Sequence, residues 1–123
     1  MILQGEVTHG LGQASFWVEK IERAFKEKTG IEKLFPGTLN INLEKPYKLG
    51  DSETIIYKEE FDATQDVFVK PCKIYNYQAY MVRASKNESG DGDHPLTTIE
   101  IISDINLRDK FKLKDGDRVL IYV

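Results

Sequence analysis

The sequence contains a single cysteine, Cys72, among 123 residues. No disulfide can therefore form within the chain, and no group of cysteines has the spacing of a structural zinc site. Long apolar runs are also missing, because no stretch approaches the roughly 18 apolar residues that a membrane-spanning helix needs. The N-terminus has no basic region followed by an apolar segment. These absences predict a cytoplasmic chain with no membrane partner.

Positive charge is not in excess either. The 17 Lys and Arg residues stand against 20 Asp and Glu residues, which gives a formal net charge of -3. Since nucleic-acid binding depends on cationic side chains that neutralise phosphates, nucleic acid is not an expected partner. The 41% of hydrophobic and 30% of charged residues exclude disordered and collagen-like classes. The length predicts one globular domain over residues 1–123 and leaves the oligomeric state open.

The longer glycine-rich fingerprints are absent from this sequence. No Gly-Lys-Ser/Thr ends a P-loop, and no third glycine completes a dinucleotide-binding pattern. Gly10-Leu11-Gly12 does lie between a predicted strand and a predicted helix. Backbone N–H groups in such a turn can approach a phosphate, although many purely structural turns use glycine in the same way. The residues alone leave both interpretations open.

One segment has the periodicity of an amphipathic helix, with apolar residues near every 3.6 positions from Phe16 to Phe25 and a suitable end at Gly30. Most other segments resemble strands, and the strand-like runs are 2–9, 38–43, 54–57, 67–75, 78–83, 97–102 and 118–123. Asn76-Tyr77 is the predicted hairpin turn, and 106–111 is a short helical turn. This pattern predicts a mainly β fold, a small barrel with one main helix and one short helical turn.

Thr38 and Asn40 are the first candidate site residues. They follow the turn Phe35-Pro36-Gly37, and the strict alternation of the next residues puts both side chains on one face of a strand. Their hydroxyl and carbonyl oxygens are ligands that Mg²⁺ accepts, since this ion takes few protein ligands. The ordinary alternative is the solvent face of a half-buried strand.

His94 and Glu100 form a second candidate pair, because a histidine and a carboxylate can act as acid and base. Pro95 follows His94 and favours a role in anchoring the loop instead. Glu100 lies between Ile99 and Ile101, so it points away from them, toward solvent or toward a cavity. Several aromatic residues could line a pocket for a flat ligand or pack in the core, namely Tyr57, Phe61, Phe68, Tyr75, Tyr77 and Tyr80.

Two acidic segments carry weaker signals. Residues 86–93 include Glu88, Asp91 and Asp93 but lack the ligand order of a calcium-binding loop, so they predict a solvated, flexible loop. Residues 114–117, Lys-Asp-Gly-Asp, have the chemistry of a turn.

Several short motifs follow one another along nearly the whole chain. In order they are Gly5-Glu6-Val7, Gly10-Leu11-Gly12, Phe35-Pro36-Gly37-Thr38-Leu39-Asn40-Ile41, Glu100-Ile101-Ile102, Leu107-Arg108 and Lys114-Asp115-Gly116-Asp117. This ordered set resembles the archaeal-type CTP-dependent riboflavin kinases. The resemblance implies a cradle-loop β-barrel. It also implies transfer of the γ-phosphoryl group of CTP to the 5′-hydroxyl of riboflavin, which gives FMN and CDP, with Mg²⁺ as cofactor and with riboflavin and CTP as small-molecule substrates.

The resemblance also implies roles for individual residues. Thr38 and Asn40 match the Mg²⁺ ligands. The residues that match nucleotide-contacting segments are Leu11, Gly12, Gln13, Ala14, Ser15 and Phe16, and then Ile105, Asn106, Leu107 and Arg108. Glu100 matches a flavin-contacting residue, and Gly92 and His94 lie in a flavin-contacting loop. No residue is assigned as the acceptor of the hydroxyl proton.

The chain departs from the family pattern at three places. Gln13-Ala14-Ser15 follows Gly12 where the family usually continues with Glu-Gly, and Gly92 replaces a flavin-contacting Thr. Ser103-Asp104 replaces the usual Ala-Pro. These departures predict a divergent member. They also keep two alternatives open, a non-catalytic flavin- or nucleotide-binding module of the same fold and a regulatory barrel that pairs with itself or another protein.

Overall fold

A computed structural model describes residues 1–10, 14–50, 52 and 54–123, apart from the side chains of residues 14 and 15. Over these residues the chain forms β1 (Ile2–Thr8), α1 (Ala14–Thr29), β2 (Leu39–Leu43), β3 (Thr54–Ile56), β4 (Val67–Ile74), β5 (Tyr77–Ala84), α2 (Ser85–Glu88), β6 (Thr98–Ile102), α3 (Leu107–Lys110) and β7 (Arg118–Tyr122). A single 3₁₀ turn, Lys58–Glu60, follows β3. The prediction of a mainly β fold with one main helix is confirmed. None of the helices in these ranges combines the length and the apolar character that crossing a bilayer requires.

Six of the described strands close into an antiparallel barrel. The order is β4-β5-β6-β2-β1-β7, and β7 returns to β4 where Lys73 lies opposite Tyr122. β3 pairs with the first residues of β4, on the same edge that β7 meets at Lys73, and extends the sheet outside the barrel. Closure removes most free strand edges, which is how small β proteins avoid edge-to-edge association. The predicted small barrel is therefore confirmed.

Two hydrophobic clusters lie on opposite faces of the same strands. Inside the barrel, Ile41, Met81 and Ile101 are fully buried. Outside it, Phe25 and neighbouring residues of α1 cover the outer face of β4, β5 and β6 around Val82. Because successive strand residues point to opposite faces, Met81 belongs to the inner cluster and Val82 to the outer one. The helix is thus held by the barrel wall.

The hairpin between β4 and β5 turns at Tyr75-Asn76, one residue earlier than predicted. Both residues have positive φ, 48° and 65°, which a two-residue turn of type I′ requires at both central positions. Asparagine tolerates this conformation, whereas tyrosine rarely adopts it. The ring of Tyr75 packs on that of Phe111 with centroids 4.8 Å apart, a tertiary contact that compensates for the strain.

The prediction of a solvated loop over residues 86–93 is wrong for its first part. Helix α2 occupies Ser85–Glu88, and Glu88 is only 8% exposed. Its carboxylate pairs with Arg83 at 2.9 Å and accepts a hydrogen bond from the backbone N–H of Leu49 at 3.0 Å. Asp91 and Asp93 are exposed, as predicted. A buried arginine provides a partner that no local pattern around Glu88 reveals.

Candidate functional site

Three polar residues line up across neighbouring strands on the outer face of the barrel. Asn40 on β2 lies opposite Glu100 on β6 and opposite Thr8 on β1. The residues that follow Asn40 and Glu100, Ile41 and Ile101, point inward to the core. Alternation therefore puts Asn40 and Glu100 outward, next to the face that α1 covers.

Thr38, immediately before β2, joins this row. Its Oγ1 donates a hydrogen bond to Glu100 Oε1 at 3.2 Å. Thr38, Asn40 and Glu100 are thus brought together although Glu100 is more than 60 positions away along the chain. The expectation that Thr38 and Asn40 share one face is consistent with this arrangement.

The Asn40 carboxamide is held in a buried position with an unused acceptor. Asn40 is 7% exposed, and its Oδ1 has no hydrogen-bond partner among the described residues. A buried carbonyl oxygen without a partner is unfavourable unless a ligand or water satisfies it. Together with the Thr38 hydroxyl and the Glu100 carboxylate, it forms a set of oxygen donors that suits Mg²⁺.

Burial raises the pKa of Glu100, while the charge of His94 and the hydrogen bond from Thr38 act in the opposite direction. The sequence left two orientations of Glu100 open, toward solvent or toward a cavity. The structure has Glu100 lining a cleft. A carboxylate in such surroundings binds hydrogen-bond donors strongly, because little water competes for it.

An apolar cleft of about 190 Å³ opens beside Glu100. Trp17 of α1 and Phe61 line it together with Val82. Aromatic walls with one carboxylate at the rim suit a flat, ring-containing ligand with polar substituents. Of the aromatic residues considered from the sequence, Phe61 lines this cleft, whereas Phe68, Tyr77 and Tyr80 pack against the hydrophobic clusters.

The sequence analysis did not identify Trp17 as a site residue. It lies within the helix that the sequence predicts, and no local pattern distinguishes it as a ligand contact. In the structure it is half-buried at the edge of the outer cluster, where one part of the ring packs and another lines the cleft. Only the docking of α1 on the barrel reveals this.

The second nucleotide-matched segment also lies close to Thr38. Thr38, Ile105, Asn106 and Arg108 line one shallow recess. The side chain of Asn106 caps α3 by accepting a hydrogen bond from the N–H of Asp109 at 3.2 Å. Leu107 is buried, and its side chain packs in the inner cluster of the barrel.

The first nucleotide-matched segment is described in part. Leu11, Gly12 and Gln13, and the side chains of Ala14 and Ser15, lie outside the described residues, so their assignment stays a prediction. Phe16 is 74% exposed at the start of α1, and a ring that exposed is accessible to a ligand.

Gly92 and His94 pack against Asn87. A Cβ atom at position 92 would lie 1.9 Å from Asn87 Oδ1, so this loop conformation accepts only glycine there. The same oxygen accepts a hydrogen bond from the backbone N–H of His94 at 3.2 Å. This contact fits the loop-anchoring interpretation of His94, and the His94 ring lines an open pocket of about 510 Å³ that Asn40 also borders.

Comparison with known proteins places this arrangement in a family. Residues 7–123 match a family model named for CTP-dependent riboflavin kinases and described as a domain of unknown function, DUF120. The chain is 33% identical to a riboflavin kinase of Thermococcus kodakarensis, covering 99% of this chain and 58% of the relative. It is 31% identical to a riboflavin kinase of Methanocella arvoryzae, covering 96% and 55%, and 32% identical to one of Ignicoccus hospitalis, covering 98% and 70%. The chain spans little more than half the length of the first two relatives. It belongs to the CTP-dependent riboflavin kinase family.

Proposed function

We propose that this chain transfers the γ-phosphoryl group of CTP to the 5′-hydroxyl of riboflavin, with Mg²⁺ as cofactor. The observation that carries the proposal is the buried Oδ1 of Asn40, which has no hydrogen-bond partner among the described residues, on the residue opposite Glu100, whose carboxylate accepts a hydrogen bond from Thr38. Phosphoryl transfer depends mainly on positioning the reactants and on neutralising the negative charge of the phosphates, and a bound Mg²⁺ would supply positive charge for this.

Thr38 and Asn40 are the residues that would hold the metal. Thr38 donates its hydroxyl hydrogen to Glu100, so the lone pairs of its oxygen stay free to bind a cation. The Asn40 carbonyl oxygen is already desolvated, and a cation would satisfy it. Both oxygens are therefore prepared for a metal before the metal arrives.

Riboflavin is the substrate that we assign to the cleft that Trp17 and Phe61 line. An isoalloxazine ring is flat and largely apolar, and aromatic walls favour it. Glu100 at the rim is an acceptor for a hydroxyl of the ribityl chain, which brings that chain next to Thr38. The recess formed by Thr38 and residues 105–108 would receive the phosphates from the other side. In this arrangement Thr38 lies between donor and acceptor.

The test is chromatographic detection of FMN after incubation of the chain with riboflavin, Mg²⁺ and each of CTP, ATP, GTP and UTP. We expect FMN chiefly with CTP. Thr38→Val and Asn40→Ala should each lower kcat by about 100-fold, because a metal that stabilises transferring phosphates contributes several kcal/mol to the transition state. Unchanged turnover and unchanged Mg²⁺ dependence in both variants would contradict the metal assignment.

Asn42→Ala is the matched control. Asn42 is two residues further on the same strand and on the same face, but its side chain is exposed. Among the described residues it makes no hydrogen bond to Thr38 or Glu100. Its replacement should leave turnover within about twofold of wild type. Equal losses in Asn40→Ala and Asn42→Ala would indicate a general effect on β2.

One observation favours the alternative of a non-catalytic flavin- or nucleotide-binding module. Position 92 offers no side chain to a flavin, and its packing on Asn87 leaves no room for one. Titration with riboflavin and FMN, followed by quenching of flavin fluorescence, separates the two functions. Binding without FMN formation from any nucleotide would support the binding module, whereas turnover would exclude it.

A further inference from the structure

Asp115 bridges a guanidinium and an imidazole from different parts of the chain. It lies in the turn before β7, and its Oδ1 is 3.0 Å from an Nη of Arg108 on α3. Its Oδ2 is 3.0 Å from Nδ1 of His9, just after β1. The residue pattern of 114–117 predicted a turn, and the bridge gives Asp115 in that turn a second role, that of holding two side chains.

The turn that carries Asp115 is fixed to β1 by two backbone hydrogen bonds. The N–H of Gly116 donates to the carbonyl of Val7 at 2.7 Å, and the N–H of Val7 donates to the carbonyl of Asp117 at 2.8 Å. Gly116 has φ of +90°, a conformation that glycine adopts without strain. The carboxylate is therefore presented from a rigid support.

Arg108 is held through one nitrogen. The Nη2 that pairs with Asp115 also donates to the carbonyl oxygen of Thr8 at 3.2 Å. Within the described part of the chain, its Nη1 and Nε have no hydrogen-bond partner. The side chain is 37% exposed and lines the recess that Thr38 also lines. The Nη1 amino group carries two N–H donors, and the positive charge of the guanidinium favours an anion such as a phosphate.

We propose that Asp115 is a positioning residue for the nucleotide, which it serves by holding Arg108 through Nη2 so that Nη1 of that side chain donates to a phosphate oxygen. The inference deepens the proposed function and rests on it. His9 precedes the first nucleotide-matched segment, and Arg108 closes the second. Through Arg108 the carboxylate acts on the recess that Thr38 and residues 105–108 line.

The electrostatics agree with this role. Hydrogen bonds from His9 and then from Arg108 lower the pKa of Asp115, so the carboxylate stays ionised at neutral pH. Asp115 is well exposed, and exposed ion pairs add little to stability. An effect of this bridge should therefore be seen in nucleotide binding and much less in folding.

The experiment compares Asp115→Asn with Asp109→Asn. Asp109 is exposed on α3 next to Arg108, so its substitution removes an equal charge nearby. The dissociation constant of CTP with Mg²⁺ is measured by calorimetric titration, together with KM, kcat and Tm. We expect Asp115→Asn to weaken CTP binding and raise its KM about fivefold, with kcat, the KM for riboflavin and Tm nearly unchanged. Asp109→Asn should bind CTP like the wild type.

A double-mutant cycle with Arg108→Gln tests the route of the effect. If Asp115 acts through Arg108, adding Asp115→Asn to Arg108→Gln should weaken CTP binding no further. A further fivefold loss in that background, or wild-type binding by Asp115→Asn alone, would overturn the proposal. Wild-type chain that binds CTP but forms no FMN would refute the kinase function while the cycle still decides the role of Asp115. Wild-type chain that binds no nucleotide would refute both.

Discussion

The position of Asn40 depends on a neighbour that has no side chain. A Cβ atom on Gly10 would lie 2.6 Å from Asn40 Nδ2 and 3.2 Å from its Cγ. Since Asn40 is buried, its carboxamide has little room to move away from a new methyl group. Gly10 is thus the residue that leaves room for the Asn40 carboxamide in its buried position on the residue opposite Glu100. This explains a glycine at this turn without any need for positive φ.

Gly10→Ala should therefore impair the metal site more than the fold. We expect a loss of at least about tenfold in FMN formation and a higher Mg²⁺ requirement, because the Asn40 oxygen is displaced. The matched control is Gly50→Ala, where the new Cβ would lie 3.6 Å from Glu88 Oε2, an ordinary contact. FMN formation by Gly10→Ala at the rate of Gly50→Ala would show that Asn40 tolerates the methyl group.

Helix α2 owes its position to the ion pair of Glu88 with Arg83. Arg83 is 3% exposed, and its two Nη groups donate to backbone carbonyls of three other residues, Tyr47, Leu96 and Thr98. One guanidinium therefore connects α2, the segment after β2 and the segment that leads into β6. β6 carries Glu100, so this hydrogen-bond network also helps to fix the strand that positions the candidate site.

Glu88→Gln should destabilise the fold by about 3–5 kcal/mol, because it leaves the buried charge of Arg83 without its counterion. The free energy of unfolding is measured by urea titration. Glu27→Gln is the control, since Glu27 pairs with Arg23 on the exposed face of α1 at 3.6 Å. That variant should lose about 0.5 kcal/mol or less. Equal, small losses in the two variants would show that Arg83 finds other compensation.

The whole molecule depends on one barrel wall with two hydrophobic faces. Strands β4, β5 and β6 contribute to the inner cluster through Cys72, Met81 and Ile101 and to the outer cluster through Val69, Val82 and Ile102. Disruption of either cluster would displace strands that also contribute side chains to the other cluster. The helix and the barrel are therefore expected to unfold together.

Trp17, the one tryptophan of the chain, allows this to be tested, because it lies on α1 against the outer cluster. Its fluorescence reports on docking of the helix, and the reactivity of the Cys72 thiol, which is buried inside the barrel, reports on opening of the strands. We expect the two urea transitions to coincide, as for other domains of this size. A fluorescence transition at clearly lower urea would mean that α1 leaves the barrel first, and the cleft beside Glu100 would open with it.

Prediction from the sequence succeeded where a local pattern carries the information. Strict alternation placed Thr38 and Asn40 on one face, and the 3.6-residue period identified α1, because both depend only on near neighbours. It missed the burial of Glu88, the cleft at Trp17 and the bridge at Asp115. The cleft and the bridge depend on partners far away along the chain, which leave no trace in a local pattern. Glu88 pairs with Arg83 only five positions away, but its buried position also depends on Leu49, which lies 39 positions away.

The sequence by itself determined the mainly β class, the main helix and the ordered motifs that resemble a kinase family, since spacing and residue type encode them directly. Tertiary structure alone decided that Glu100 meets Thr38, that Gly10 packs on Asn40 and that His9, Asp115 and Arg108 come together. The physical reason is barrel closure, which sets the register between β1, β2, β6 and β7 and so chooses which polar side chains become neighbours.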